Sequence, residues 1–361
     1  MGNIILTGDR PTGMLHLGHY VGSLKKRCEL QDTKYDKMFI MIADTQALTD
    51  NYGTPQKIKD NIVTLMLDYL SIGLDPKKVI FFVQSSVRAL PELTMFYQNL
   101  VTLPRLLRNP TVKTEIKLRG FDNDEKGIPV GFANYPISQA ADITAFKANI
   151  IPVGDDQLPM IEQTNEIVKS FNSTYSDVLV YAKADLPKNK VCFRLPGIDG
   201  QEKMSKSLGN AIYLCDDSDT LKKKVFSMYT DPLHINIDDP GHIEGNIVFT
   251  YLDAFSCDDD FNKYLPDYKN LDELKMKYQA GGVGDMVIKK FLFSILDNLL
   301  EPIRIERKKW EGKIPEIIDI LKNGNKIAND VADKTLEEVR NAIGLDYYNK
   351  EYIDELIKKY E

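Results

Sequence analysis

The sequence is poor in the residues that mark several classes of protein. Its four cysteines, Cys28, Cys192, Cys215 and Cys257, lie far apart and form no C-x-x-C pair. That spacing argues against a zinc site or cluster and for a reducing compartment. No charge-free apolar run approaches the length needed to span a bilayer, so no membrane helix is expected. The amino terminus lacks a basic segment followed by a long apolar stretch, so no signal peptide is expected and the location reads as cytoplasmic. Basic residues are not in excess: 46 Lys and Arg stand against 53 Asp and Glu, a net charge of −7. Charge alone would not suggest a nucleic-acid partner, although local patches matter more than the total. Such patches are Lys222–Lys224, Arg105 with Arg108, and Arg304, Arg307, Lys308 and Lys309. Each by itself is the pattern of a solvated face. There are no repeats and no low-complexity tracts. What is present is ordinary: 43% hydrophobic and 27% charged residues over 361 positions, enough for a large core and two domains.

Two short segments carry chemistry. Asn3–Thr7 is an apolar run readable as a buried strand, and Gly8-Asp9-Arg10-Pro11-Thr12-Gly13 follows as a turn. His16-Leu17-Gly18-His19 then opens a helix. The free N–H groups of a helix start suit an anion, and His16 and His19, three apart, share a face and can donate to phosphate oxygens. Gly18 lets a flat adenine approach the backbone. These are two of only four histidines; His234 and His242 lie in a polar, proline-containing stretch and read as loop residues. The second segment is Lys203-Met204-Ser205-Lys206-Ser207, after a flexible Gly197–Glu202 lead-in. Its two ammonium groups can stabilise charge building on a leaving pyrophosphate, with Mg²⁺ helping. A lone His-x-Gly-His or K-x-x-K is weak; both in this order point to activation of a carboxylate with ATP.

The first half alternates strands and helices. Strands are predicted at Met38–Ala43, Val79–Val83 and Asn149–Gly154, besides the first run. A helix is predicted from Thr54 as N-cap and Pro55, with Ile58, Ile62, Leu65, Met66 and Tyr69 as its apolar stripe and Gly73 at its end. This alternation implies a parallel sheet with right-handed crossovers, whose ligands bind beyond the carboxyl ends of its strands. Gly8–Gly13 and Gly154–Gln157 should therefore converge on one crevice. After about residue 215 helical spacing takes over: Asp216–Asp219 caps a helix, Asp285–Leu300 is strongly amphipathic, and shorter segments lie near Ile314–Leu321 and Leu336–Ile343. The fold class is α/β, a Rossmann-like doubly wound parallel-sheet catalytic domain over 1–208 with a C-terminal α-helical domain over 209–361. Whether the last helices return to the first domain stays open.

Several strings together make the chain resemble a class I aminoacyl-tRNA synthetase, more narrowly the bacterial-type tryptophanyl-tRNA synthetases. They are Thr7–Gly13, the His16–His19 signature, Tyr135-Pro136-Ile137-Ser138-Gln139-Ala140-Ala141-Asp142, Pro152–Gln157 and the lysine loop. The resemblance covers essentially the whole chain. It implies that His16, His19, Lys203 and Lys206 handle the phosphates. It implies ATP contacts from Arg10, Thr12, Gly18, Gly154, Asp156, Met204 and Ser205, with Asp156 on the ribose and Met204 near adenine. Asp142 matches the residue whose carboxylate accepts the indole N–H. Leu6, Gln46, Tyr135, Gln139, Val153 and Gln157 complete the expected tryptophan pocket. The partners implied are L-tryptophan, ATP with Mg²⁺, tRNA(Trp) and a second copy of the chain docked through residues around 91–137. The second domain would bind the anticodon. No prosthetic group and no protein-held metal are expected.

Some positions depart from the better-known pattern. Gln139 stands where methionine often lines the indole pocket, Gln46 where histidine can stand, and Arg10 where glutamine can. Lys113 and Lys117 compete for the role of a lysine assisting ATP. A tyrosyl-tRNA synthetase shares both signatures, but Pro-Val-Gly-Asp-Asp-Gln is not that family's serine-bearing form. A cofactor-pathway nucleotidyltransferase would not need the lysine loop. A non-catalytic tRNA-binding relative would not need His16, His19, Lys203 and Lys206 intact.

Overall fold

A computed structural model describes residues 2–121, 127–186, 195–200, 204–205 and 208–361. Among the described residues five parallel strands form one sheet: β1 (Ile4–Asp9), β2 (Lys37–Ile42), β3 (Ile80–Val83), β4 (Ile150–Pro152) and β5 (Lys183–Asp185). Their order is β3-β2-β1-β4-β5. The four strands predicted from apolar runs are all present. The fifth, Lys-Ala-Asp, has no apolar run to betray it. It is defined by its pairing with β4, where Pro152 lies opposite Asp185.

A parallel sheet buries both faces, and the side chains alternate accordingly. Ile5, Met38, Ile40, Phe81 and Val83 join one apolar cluster. Leu6, Phe39, Met41, Phe82 and Ile151 join another on the opposite face. Strand order reverses between β1 and β4, so the crevice beyond their carboxyl ends is where a ligand is accommodated in such a sheet. β1 runs two residues into the turn expected at Gly8–Gly13, because Gly8 and Asp9 pair with Met41 and Ile42; Arg10–Gly13 leaves the sheet there, and Gly154–Gln157 leaves β4 beside it, so the two segments converge as the alternation predicts.

Helix Pro55–Ser71 starts at Thr54 with proline in its first turn, and it buries Ile58, Leu65, Met66 and Tyr69. Gly73 closes it at φ +95°, a conformation that favours glycine. Helix Asp285–Glu311 is longer than the apolar spacing implied. The segments expected near Ile314–Leu321 and Leu336–Ile343 are the two ends of one helix, Ile314–Ile343. Its middle carries no strong apolar pattern because the buried positions there are small: Gly324, Ala328, Ala332 and Thr335.

That helix returns to the sheet. Ile317 and Leu321 enter the first cluster, and Ala328, Ala332 and Leu336 enter the second, so the helix crosses the edge of β3. At the crossing a Cβ on Gly324 would stand 1.8 Å from the Phe81 carbonyl oxygen. Asn325 Oδ1 accepts the Val83 N–H at 2.8 Å, and Asn329 Nδ2 donates to the Ser86 carbonyl at 2.7 Å. An edge strand that would otherwise expose unpaired backbone groups is thus covered by a helix. The last helix, Lys350–Tyr360, has no buried residue.

Replacing Gly324 by valine forces the helix off β3. Gly324→Val is expected to lower stability by about 1–3 kcal/mol, read as a fall in thermal midpoint.

Candidate active site at the carboxyl edge of the sheet

The histidine signature is built on helical backbone: Leu17–His19 and Lys25–Leu30 are joined through a π turn at Tyr20–Leu24. His16 is the N-cap, in extended conformation. Its N–H donates to His19 Nδ1 at 3.2 Å, so the proton of a neutral His19 ring sits on Nε2. The two ring centroids are 3.8 Å apart. Gly18 is required first by His16 itself: a Cβ there would lie 2.9 Å from His16 Cε1.

The segment after the lysine loop pairs with the histidine signature. Leu17 N donates to Ile212 O at 2.9 Å, Leu214 N to Leu15 O at 3.0 Å, and His16 bridges to Tyr213 in antiparallel fashion. Met204 is buried, its sulfur 3.7 Å from where a Gly18 Cβ would stand. Its N–H donates to Leu195 O at 3.1 Å. Asn210 clamps the loop's base: Oδ1 accepts Ser205 N–H at 2.9 Å while Nδ2 donates to both Asp199 carboxylate oxygens at 3.1 Å. The two signature segments, distant in sequence, therefore meet in space at Gly18 and Met204. Lys203 and Lys206 themselves, both expected at the phosphates, lie outside the described residues.

Beside the signature lies an ion pair, buried at Arg27 and half-buried at Asp9, that no local pattern reveals. Arg27 Nη1 donates to Asp9 Oδ2 at 2.5 Å, and the Tyr69 hydroxyl donates to the same oxygen at 2.7 Å. Burial alone would raise the Asp9 carboxyl; the Arg27 guanidinium more than offsets this and holds it well below the usual carboxylate range.

A second cluster lies beyond β2 and β3. Asp142, on helix Val130–Thr144, is 1% exposed. It pairs outside its own helix: Gln84 Nε2 donates to both its oxygens at 2.8 Å. Gln84 Oε1 in turn accepts the Gln46 N–H at 3.0 Å. Burial pushes the Asp142 carboxyl up to about 7, opposed by hydrogen bonds from the Gln84 and Gln46 side chains and reinforced by the Asp44 carboxylate. Gln84 does not stand out in the sequence; a glutamine ending an apolar strand carries no pattern.

The other expected residues distribute around these clusters. Gln46 Nε2 donates to the Tyr135 carbonyl at 3.4 Å, and Gln139 Nε2 to Gln157 Oε1 at 3.5 Å. Leu6 and Val153 pack in the same apolar cluster. The Tyr135 hydroxyl is raised by burial and by Glu115, with Arg10 opposing. Arg10 pairs with Asp50 at 3.1 Å, an acid it shares with Arg119. Thr12 closes its turn, donating its N–H to Arg10 O at 2.8 Å. Gly154 lets the Asp156 carboxylate lie close over its Cα, 2.7 Å from where a Cβ would stand. Asp156 is exposed, and its carbonyl accepts from Thr111 Oγ1 at 2.9 Å, which ties helix Pro110–Leu118, with exposed Lys113 and Lys117, to this turn. Among the basic patches, Arg304 and Arg307 are used internally: Arg304 bonds Asp297 and the Asp216 carbonyl, and Arg307 bonds buried Asp68. They are not a solvated face. Arg105 is paired with Glu166.

A parallel sheet with this strand order, and a histidine signature packed against the base of a lysine loop at its carboxyl edge, define a nucleotide-binding enzyme of the class I synthetase type. The profile described as "tRNA synthetases class I (W and Y)" matches residues 2–301, and the chain belongs to that family. It is 57% identical over 347 residues to a tryptophan--tRNA ligase of Clostridium longisporum, covering 96% of this chain and 98% of that one. A tryptophan--tRNA ligase of Streptococcus mutans is 56% identical, covering 96% and 99%. The solved tryptophanyl-tRNA synthetase of Campylobacter jejuni, complexed with ADP and tryptophan, superposes with a TM-score of 0.78 at 28% identity, covering 94% and 99%.

Arg27→Met leaves the half-buried Asp9 carboxylate with the Tyr69 hydroxyl but without its guanidinium, and is expected to cost about 1.5–3 kcal/mol at neutral pH. Because the Asp9 carboxyl is depressed in the folded state, its contribution is present above the unfolded value and is lost as pH falls through the folded one. Denaturant titration of wild type and variant from neutral to acid pH should therefore show the difference shrinking toward acid.

Proposed function

We propose that this chain is a tryptophan--tRNA ligase. The observation that carries the reading is the buried Asp142 carboxylate at the carboxyl edge of the sheet, in a chain 57% identical to a ligase of that name. A buried acceptor is left unpaired by phenylalanine, which penalises the wrong amino acid. Tyr135, Gln139, Gln157, Gln46, Leu6 and Val153 form the remaining pocket, and Arg10, Gly154, Asp156, Thr12, Gly18, Met204 and Ser205 serve ATP.

The tryptophan carboxylate attacks the α-phosphate of ATP in line. A carboxylate oxygen–phosphorus bond forms, and the bond to the leaving pyrophosphate breaks. Mg²⁺ enters with the ATP phosphates as part of that substrate. His16, His19, Lys203 and Lys206 bind the phosphates and stabilise the developing charge, so the protein's contribution is positioning and electrostatics. A ribose hydroxyl of the terminal adenosine of tRNA(Trp) then attacks the tryptophanyl carbonyl of the adenylate; an ester bond forms, the carbonyl–oxygen bond to phosphate breaks, and AMP leaves. The enzyme works in the cytoplasm as a homodimer; exposed Met95, Leu103 and Val130 in the 91–137 segment support that docking surface.

Amino-acid-dependent ATP–pyrophosphate exchange tests the reading. Exchange is expected with tryptophan and not with tyrosine or phenylalanine; exchange with tyrosine alone would overturn the specificity. Asp142→Ala should raise the KM for tryptophan roughly 100-fold with the KM for ATP little changed. With the carboxyl at about 7, kcat/KM for tryptophan should fall as pH drops below that value, because the ionised form is the better acceptor.

A further inference from the structure

Gln84 is 2% exposed and sits where β3 ends. Its amide is fixed at both ends. The oxygen accepts the Gln46 N–H at 3.0 Å, which leaves only the NH₂ group to face Asp142. That group lies 2.8 Å from each carboxylate oxygen. An amide free to turn could present its oxygen to the carboxylate and repel it; here the backbone of residue 46 forbids the turn. The charged neighbour acting on Asp142 is Asp44, at the start of helix Asp44–Asn51, and it opposes ionisation. Gln84 from the β3 end and Gln46 from that helix favour it.

We propose that Gln84 is a specificity-determining positioning residue: its fixed amide favours the carboxylate form of Asp142 and aims it as the acceptor of the substrate's ring N–H. This rests on the assignment of Asp142 as that acceptor. Gln84 does not touch the substrate; it acts through Asp142.

The test is pyrophosphate exchange by full-length wild type, Gln84→Met, Gln84→Glu and Asp142→Ala. Tryptophan is compared with its benzothienyl analogue, in which sulfur replaces the ring N–H, across about pH 6–9, the range that brackets the raised carboxyl. Gln84→Met keeps the side chain's bulk and removes the donor. It should reduce the preference for tryptophan over the analogue at least ~10-fold, through KM rather than kcat, and move the acid limb of the tryptophan profile to higher pH. Gln84→Glu keeps the shape and adds a second acid, and should move that limb in the same direction. A general pocket defect would weaken tryptophan and the analogue equally and leave the limb in place, which overturns the proposal. If Asp142→Ala loses the preference while both Gln84 variants keep it, the role of Gln84 falls and the assignment of Asp142 stands. If Asp142→Ala also keeps it, both fall.

Discussion

The fully buried carboxylate of Asp68 is the constraint around which the active half of the molecule is arranged. A buried anion must be satisfied or it destabilises the fold. Its partners come from distant parts of the chain. Asp68 lies in helix Pro55–Ser71; Oδ2 accepts the Leu15 N–H at 2.7 Å, one residue before His16. Oδ1 accepts from Arg307, in helix Asp285–Glu311. The helical half is thus bonded, through one acid, to the backbone that presents the histidine signature.

The same logic recurs at Asp9. Its pairing with Arg27 and Tyr69 joins the end of β1, the signature helix and helix Pro55–Ser71. The Leu15–His19 backbone is held by Asp68 at Leu15 and again by its pairing with residues 212–214. Rigid backbone at a point where charge develops is what electrostatic stabilisation of a leaving group requires.

Much of this was legible in the residues. The apolar runs marked four strands, and the Pro55 and Gly73 punctuation marked a helix, because local backbone preferences act within a few positions. The Ile314–Ile343 helix read as two pieces because Gly324 and Ala328 are small where a helix crosses a strand, and small residues weaken an apolar pattern. β5 was invisible because Lys-Ala-Asp becomes a strand only through its neighbour. Arg304 and Arg307 read as surface charge because nothing local distinguishes a paired guanidinium from a solvated one.

Local residue patterns settle the alternation that makes a parallel sheet, the two signature segments, and the kind of chemistry they serve. Those depend on residue type and short spacing. Packing settles which polar groups meet: Gln84 with Asp142, Arg27 with Asp9, Arg307 with Asp68, Asn325 with the edge of β3. Each is a pairing of polar groups brought together by packing over long separations, and the energy of such a pair depends on its burial and geometry, which no local pattern encodes.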